Sequence, residues 1–177
     1  MAMTPPIRKL ALTAHVTCSV GWIGAIIAFM GLAIVGLTSD DSRVVRAAYL
    51  AAEPIVTFVV VPLALGSLLT GLLSSLGSVW GLFRHYWVVF KLVINLVATT
   101  ILLVYLETVS HLAAVAANPT ADLDELKSPT FLLHAVLALL VLLVAVVLAV
   151  YKPRGMTRYG WRRQQAATHE RRVAPVP

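Results

Sequence analysis

Residues 128–151, SPTFLLHAVLALLVLLVAVVLAVY, lie between Lys127 and Lys152 and include no Asp, Glu, Lys or Arg. Leu, Val and Ala dominate the stretch, so a helix built from it is apolar on every face. A helix needs about 20 such residues to cross the hydrocarbon core of a bilayer. Backbone N–H and C=O groups find no water in lipid, and a helix satisfies them within one segment. The stretch therefore predicts a transmembrane helix over about residues 129–151.

Three further runs have the same character. Residues 10–39, between Lys9 and Asp40, have no charge. Residues 54–83 lie between Glu53 and Arg84, and residues 85–117 hold Lys91 and Glu107 around an uncharged centre. The spans are expected at about 10–37, 54–80 and 86–112. The first run exceeds the core of a secretory signal and is read as an uncleaved span. Composition agrees, with 59% hydrophobic and 12% charged residues, where a soluble domain has about 25% charged. The expected fold is all-α, a polytopic membrane protein with a four-transmembrane-helix bundle over residues 1–155. A basic tail, 156–177, follows and is expected to be disordered beyond Gln164.

The net charge of +6 is distributed as a membrane orientation signal, not as a groove for nucleic acid. With four spans, Arg8, Lys9, Arg84, Lys152, Arg154, Arg158, Arg162, Arg163, Arg171 and Arg172 fall on one side. The other side receives Arg43, Arg46 and Lys127 with Asp40, Asp41, Asp122, Asp124 and Glu125. The excess of Lys and Arg assigns the first side to the cytoplasm, placing both termini there and the chain in the cell membrane. Cys18, the only cysteine, reads as a small buried thiol.

Helices in lipid associate through small residues. Ser67, Gly71, Ser74 and Ser78 form one such stripe, and Gly21, Gly24, Ala28 and Gly31 another. Pro54 suits the first turn of a helix, and Pro62 is expected to kink one.

Ionisable groups within spans are functional candidates. His15 and Lys91 each lie about seven residues past a basic residue, Arg8 and Arg84, on helices running the same way. Both are therefore expected roughly 10 Å into the membrane from the basic side. Ser19 and Trp22 follow His15, and Asn95 and Thr99 follow Lys91 at steps of four. Neutral imidazole can ligate haem iron or relay a proton. The plainer reading is a histidine bonded to a neighbouring helix and a lysine snorkelling to headgroups.

Glu53, Glu107, His111 and His134 lie near the opposite surface. One carboxylate with two imidazoles could hold a divalent metal, His111 and His134 could be axial haem ligands, or all four could be interfacial residues. Glu107 falls about 160° around its helix from Lys91, so the two sets do not share one inward face. Trp80, Arg84, His85, Tyr86 and Trp87 suit an interfacial aromatic belt. Lys152, Arg154, Arg158, Trp161, Arg162 and Arg163 suit anionic lipid headgroups, at about 1 kcal/mol per charge near the surface.

Ala14-His15, Gly21-Trp22-Ile23-Gly24, Gly81 to Trp87 with Lys91, and Tyr151 to Gly155 with Tyr159-Gly160-Trp161-Arg162 resemble a family of uncharacterised actinobacterial four-span integral membrane proteins. The likeness covers nearly the whole chain and implies four spans in the cytoplasmic membrane. His15, Trp22, Gly24, Trp87 and Lys91 are also similar to positions of the HemJ-type protoporphyrinogen oxidases and, in part, of the CopD-type copper proteins. The HemJ likeness implies haem b at the histidine and lysine. Three functions stay open at this point. One is a haem- or metal-binding redox protein using inward-facing histidines. The second is a non-catalytic membrane subunit or scaffold, homo-oligomeric or bound to a partner protein or lipid. The third is a small transporter using the outer acidic and histidine groups.

Overall fold

The computed structural model describes residues 3–77 and 81–173. The helices are α1 (Pro5–Thr38), α2 (Ser42–Ile55), a π-helical turn (Val56–Val60), α3 (Val61–Leu76), α4 (Tyr86–Ala117), α5 (Thr130–Tyr151) and α6 (Arg158–Val173). No strand occurs among the described residues, and the fold is all-α. Four segments are long and apolar enough to cross a membrane: α1, the continuous run Ser42–Leu76, α4 and α5. The chain is a multi-pass membrane protein with a four-helix bundle.

Three spans are longer than hydropathy alone gave. α1 begins at Pro5, with Pro5 and Pro6 in its first turn, where a missing N–H costs nothing. The second span begins at Ser42, not near Pro54. The Asp41 carboxylate accepts from Arg43 N at 2.8 Å, a capping contact for the first turn. α2 is amphipathic and buries Val45, Ala48, Tyr49 and Ala52, the spacing of one helical face. Its charged residues hid it from a search for uncharged runs. Pro54 consequently lies inside a helix and not at its start. The effect of Pro62 takes the form of the π-helical turn, where Val61 N reaches back to Val56 O. Proline cannot donate to the carbonyl four residues back and crowds it. A widened turn just ahead of the ring relieves both.

In the bundle, α1 packs on α2, α3 and α5, and α4 packs on the same three, so α1 and α4 occupy one diagonal and α3 and α5 the other. Stripes of small residues behave differently on the two partners. Gly66 receives the Cys18 Sγ, and a Cβ at Gly66 would stand 2.9 Å from it. On α1, Gly24 and Gly31 face open space. The packed face of α1 instead runs through Trp22, Ala25, Ile26, Phe29, Ala33 and Gly36. Ser78 lies outside the described residues.

At the basic end, α4 and α5 are level. His85 pairs with Met156, and Tyr86 N donates to Gly155 O at 3.4 Å. α4 has 32 residues and α5 has 22. The excess at 1.5 Å per residue, about 15 Å, therefore projects at the opposite end. There the ends of α1 and α4, with α2 and the 118–129 connection, form a cap around Phe131. The Phe131 ring lies 5.0 Å from Phe29, 4.7 Å from Tyr49 and 6.1 Å from Tyr105, centroid to centroid. The Tyr49 hydroxyl donates to the carbonyl of Leu126.

Arg46 on α2 closes the end of α4. Its guanidinium donates to the carbonyls of Val115, Ala116, Asn118 (2.6 Å), Pro119 and Ala121 (2.7 Å). The last carbonyls of a helix lack intrahelical partners and carry the negative end of its dipole. Arg46→Met is expected to lower stability by about 2–3 kcal/mol, the scale of hydrogen bonds to a charged group. Arg46→Lys should recover only part, because an ammonium cannot span the same fan of acceptors. Thermal unfolding of the detergent-solubilised variants measures both.

The tail departs from expectation. α6 continues past Gln164 to Val173, so the segment is helical where disorder was expected. It is tethered at its root: Thr157 N donates to Arg84 O at 3.0 Å, and Thr157 Oγ1 to Phe83 O at 2.5 Å. Gly160 is buried beside the Arg84 carbonyl, where a Cβ would clash with the oxygen. Only glycine admits that approach.

Candidate functional site

Toward the basic end the four spans separate around a cavity of about 780 Å³, within the range of about 300–1,000 Å³ seen for small-molecule sites. Its far end is closed by the packed cluster of Trp22, Ile26, Val60, Ala64 and Leu142. The Phe131 cluster lies beyond that. The cavity therefore opens on one half of the bundle.

His15 and Lys91 both line it. His15 comes from α1 and is seated against α3. Its Nδ1 lies 3.1 Å from the Ser67 carbonyl and 3.3 Å from Thr70 Oγ1. Gly71 makes the seat, since a Cβ there would stand 2.9 Å from His15 Cε1. A carbonyl only accepts, so Nδ1 carries the proton and, in the neutral ring, Nε2 carries the lone pair. No hydrogen bond to Nε2 occurs among the described residues. Beside this pair, Ser19 Oγ and Ser67 Oγ are 2.8 Å apart, and Ser67 is fully buried.

Lys91 reaches the cavity from α4, one turn beyond Trp87 and one turn before Asn95, and all three line it. Lys91 has no hydrogen-bond or ion-pair partner among the described residues. Trp87 is only 9% exposed and lies among the helices on the cavity wall. The phase of α4 that turns Lys91 inward also turns in the residue four earlier. Tyr86, the next residue round, is exposed. Trp80 lies outside the described residues. Arg84 and His85 form the loop that holds the tail, and Arg154, Arg158, Trp161, Arg162 and Arg163 are exposed. Arg8, Lys9 and Lys152 stand at the cavity rim.

The other candidates do not assemble into one site. His111 Nε2 lies 2.7 Å from a Glu125 carboxylate oxygen on the exposed cap. His134 Nδ1 lies 2.8 Å from the Thr130 carbonyl, and its ring stacks on Tyr105 with centroids 3.8 Å apart. Each imidazole thus has its own local partner. Glu107 is exposed and Glu53 half-buried. Among the described residues no group of three His, Cys, Asp or Glu side chains could hold a metal ion. Glu53, Glu107, His111 and His134 therefore do not form the metal set that sequence proximity to one surface suggested.

Sequence reasoning missed Thr70 as a contact of His15, and it read Ser67 and Gly71 first as packing residues. The period of the small-residue stripe was visible, but which side chain fills it depends on the rotation of α1 against α3. Comparison with family models, curated proteins and solved structures finds no match.

Proposed function

We propose that the protein binds a small amphipathic cofactor in this cavity, with haem b the sharpest candidate, and that the basic end of the bundle faces the cytoplasm across the cell membrane. The observation that carries the reading is His15. Its Nδ1 is committed to the Ser67 carbonyl, while Nε2 has no described partner in a cavity of sufficient volume. A second hydrogen bond of this kind orients histidines that ligate metals. When bound, haem would supply one-electron chemistry. His15 would hold its iron, and the rim cations Arg8, Lys9 and Lys152 would face its acidic edge. The likeness of His15, Trp22, Gly24, Trp87 and Lys91 to the HemJ-type pattern supports the same choice.

Protein purified in detergent from haem-replete cells should show a Soret band. His15→Ala should reduce haem occupancy about tenfold, equivalent to about 1.4 kcal/mol or more of binding energy. His111→Ala and His134→Ala should leave it unchanged. A colourless preparation, or a band lost with His134 and not with His15, overturns the haem assignment. A reporter fused after Pro177 should read as cytoplasmic.

A further inference from the structure

The wall of the cavity between α1 and α5 is incomplete. Val16 and Val20 of α1 are 50% and 63% exposed, and Val150 of α5 is 69% exposed. All three also line the cavity. Lining side chains this accessible on both α1 and α5 leave the cavity open along the seam between the two helices. α1 and α5 do close on each other further along, where Phe29 meets Phe131 and where Ile26 and Leu142 share a cluster. The gap is therefore confined to the basic half, and the solvent at its mouth is lipid.

The charge of the cavity is one-sided. Arg8, Lys9, Lys91 and Lys152 line it, and no Asp or Glu does among the described residues. Lys91 is recessed within the bundle with no described anion to meet it. A cation held at membrane depth is costly unless it is paired or hydrated. The α5 wall is apolar, with Leu142, Ala145, Val146, Ala149 and Val150, while the polar side chains His15, Ser67 and Asn95 stand on the other helices. This combination matches one class of molecule, an acidic head attached to an apolar chain.

We infer that the cavity takes an anionic lipid-like amphiphile from the adjoining leaflet, entering between α1 and α5. Its acidic group lies among Lys91 and the rim cations, and its apolar chain leaves past Val16 and Val150. This rests on the reading of the cavity as the ligand site, but not on haem.

Native mass spectrometry of the full-length detergent-solubilised protein, titrated with dioleoyl phosphatidylglycerol and separately with dioleoyl phosphatidylcholine, tests it. One phosphatidylglycerol should be held at least about fivefold more tightly than phosphatidylcholine, a difference near 1 kcal/mol. Lys91→Met should remove the preference. Val16→Trp, a substitution on an exposed position that should not disturb folding, should block the lipid while Lys91 remains. Arg162→Gln with Arg163→Gln, on the exposed tail, should change nothing. Equal retention of both lipids overturns the inference, as does a preference lost with the tail arginines and kept in Lys91→Met. Displacement of the lipid by millimolar inorganic phosphate would assign the site to a soluble anion. A dimer that excludes lipid would assign the gap to a second copy, and either result also overturns it. A colourless protein that still selects phosphatidylglycerol defeats the haem assignment alone. A Soret band without lipid selection defeats this inference alone.

Discussion

Phe131→Ala is expected to cost about 3–5 kcal/mol of stability, the range for emptying a buried aromatic site. Phe131 is 2% exposed and is the shared neighbour of Phe29, Tyr49 and Tyr105. Those rings come from α1, α2 and α4, so the alanine leaves a void between four helices at once. The void cannot collapse easily, because each helix is also fixed elsewhere: Tyr49 by its bond to Leu126 O and α4 by Arg46. The loss is one of packing and of aromatic edge and face contacts. That driving force persists in lipid, where apolar transfer alone contributes little to helix association. A lipid-facing control is Phe58→Ala, at a residue 75% exposed, which should change stability by less than about 0.5 kcal/mol. Thermal unfolding in one detergent, with both variants side by side, reads the difference. Similar midpoints for the two would show that the cap is not a cooperative unit.

Gly71→Val is expected to weaken cofactor binding in the cavity about tenfold or more while leaving the bundle assembled. Any Cβ at position 71 falls 2.9 Å from His15 Cε1 and 3.3 Å from Nδ1. Valine adds two methyls in the same place, so the imidazole must leave the Ser67 carbonyl. It then loses the hydrogen bond that sets its tautomer and its aim. Cofactor occupancy should fall about as far as in His15→Ala, by about tenfold or more. Gly71→Ala should fall between wild type and valine. Gly24→Val is the matched control, since no atom lies within 4 Å of a Cβ there. Occupancy should be read together with the unfolding midpoint, because overpacking a helix contact costs about 1–3 kcal/mol. If occupancy is kept in Gly71→Val, the seat formed by α3 does not position His15 for binding.

Much of the architecture was legible along the chain. The uncharged runs placed four spans, and counting residues from Arg8 and Arg84 put His15 and Lys91 at one level, where both line the cavity. Hydropathy and helical rise are properties of single residues and single helices, so they need no knowledge of neighbours. Where charge and apolarity mixed, the same reasoning stopped short. α2 carries Arg43, Arg46 and Glu53 on a helix whose buried face is as regular as any in the bundle. The projecting cap it forms went unseen.

The site itself required the fold. That His15 faces Ser67 and Gly71, that Trp87 turns inward beside Lys91, and that His111 and His134 take separate partners all depend on how each helix is rotated about its axis. Rotation is set by the fit of side chains from two helices together, through contacts such as Cys18 on Gly66 and Phe29 on Phe131. Sequence by itself determined which segments lie in lipid, because transfer from water is summed residue by residue. Only the tertiary structure decided which polar groups meet across the cavity, because lipid, being equally apolar on all sides, gives an all-apolar helix no preferred face.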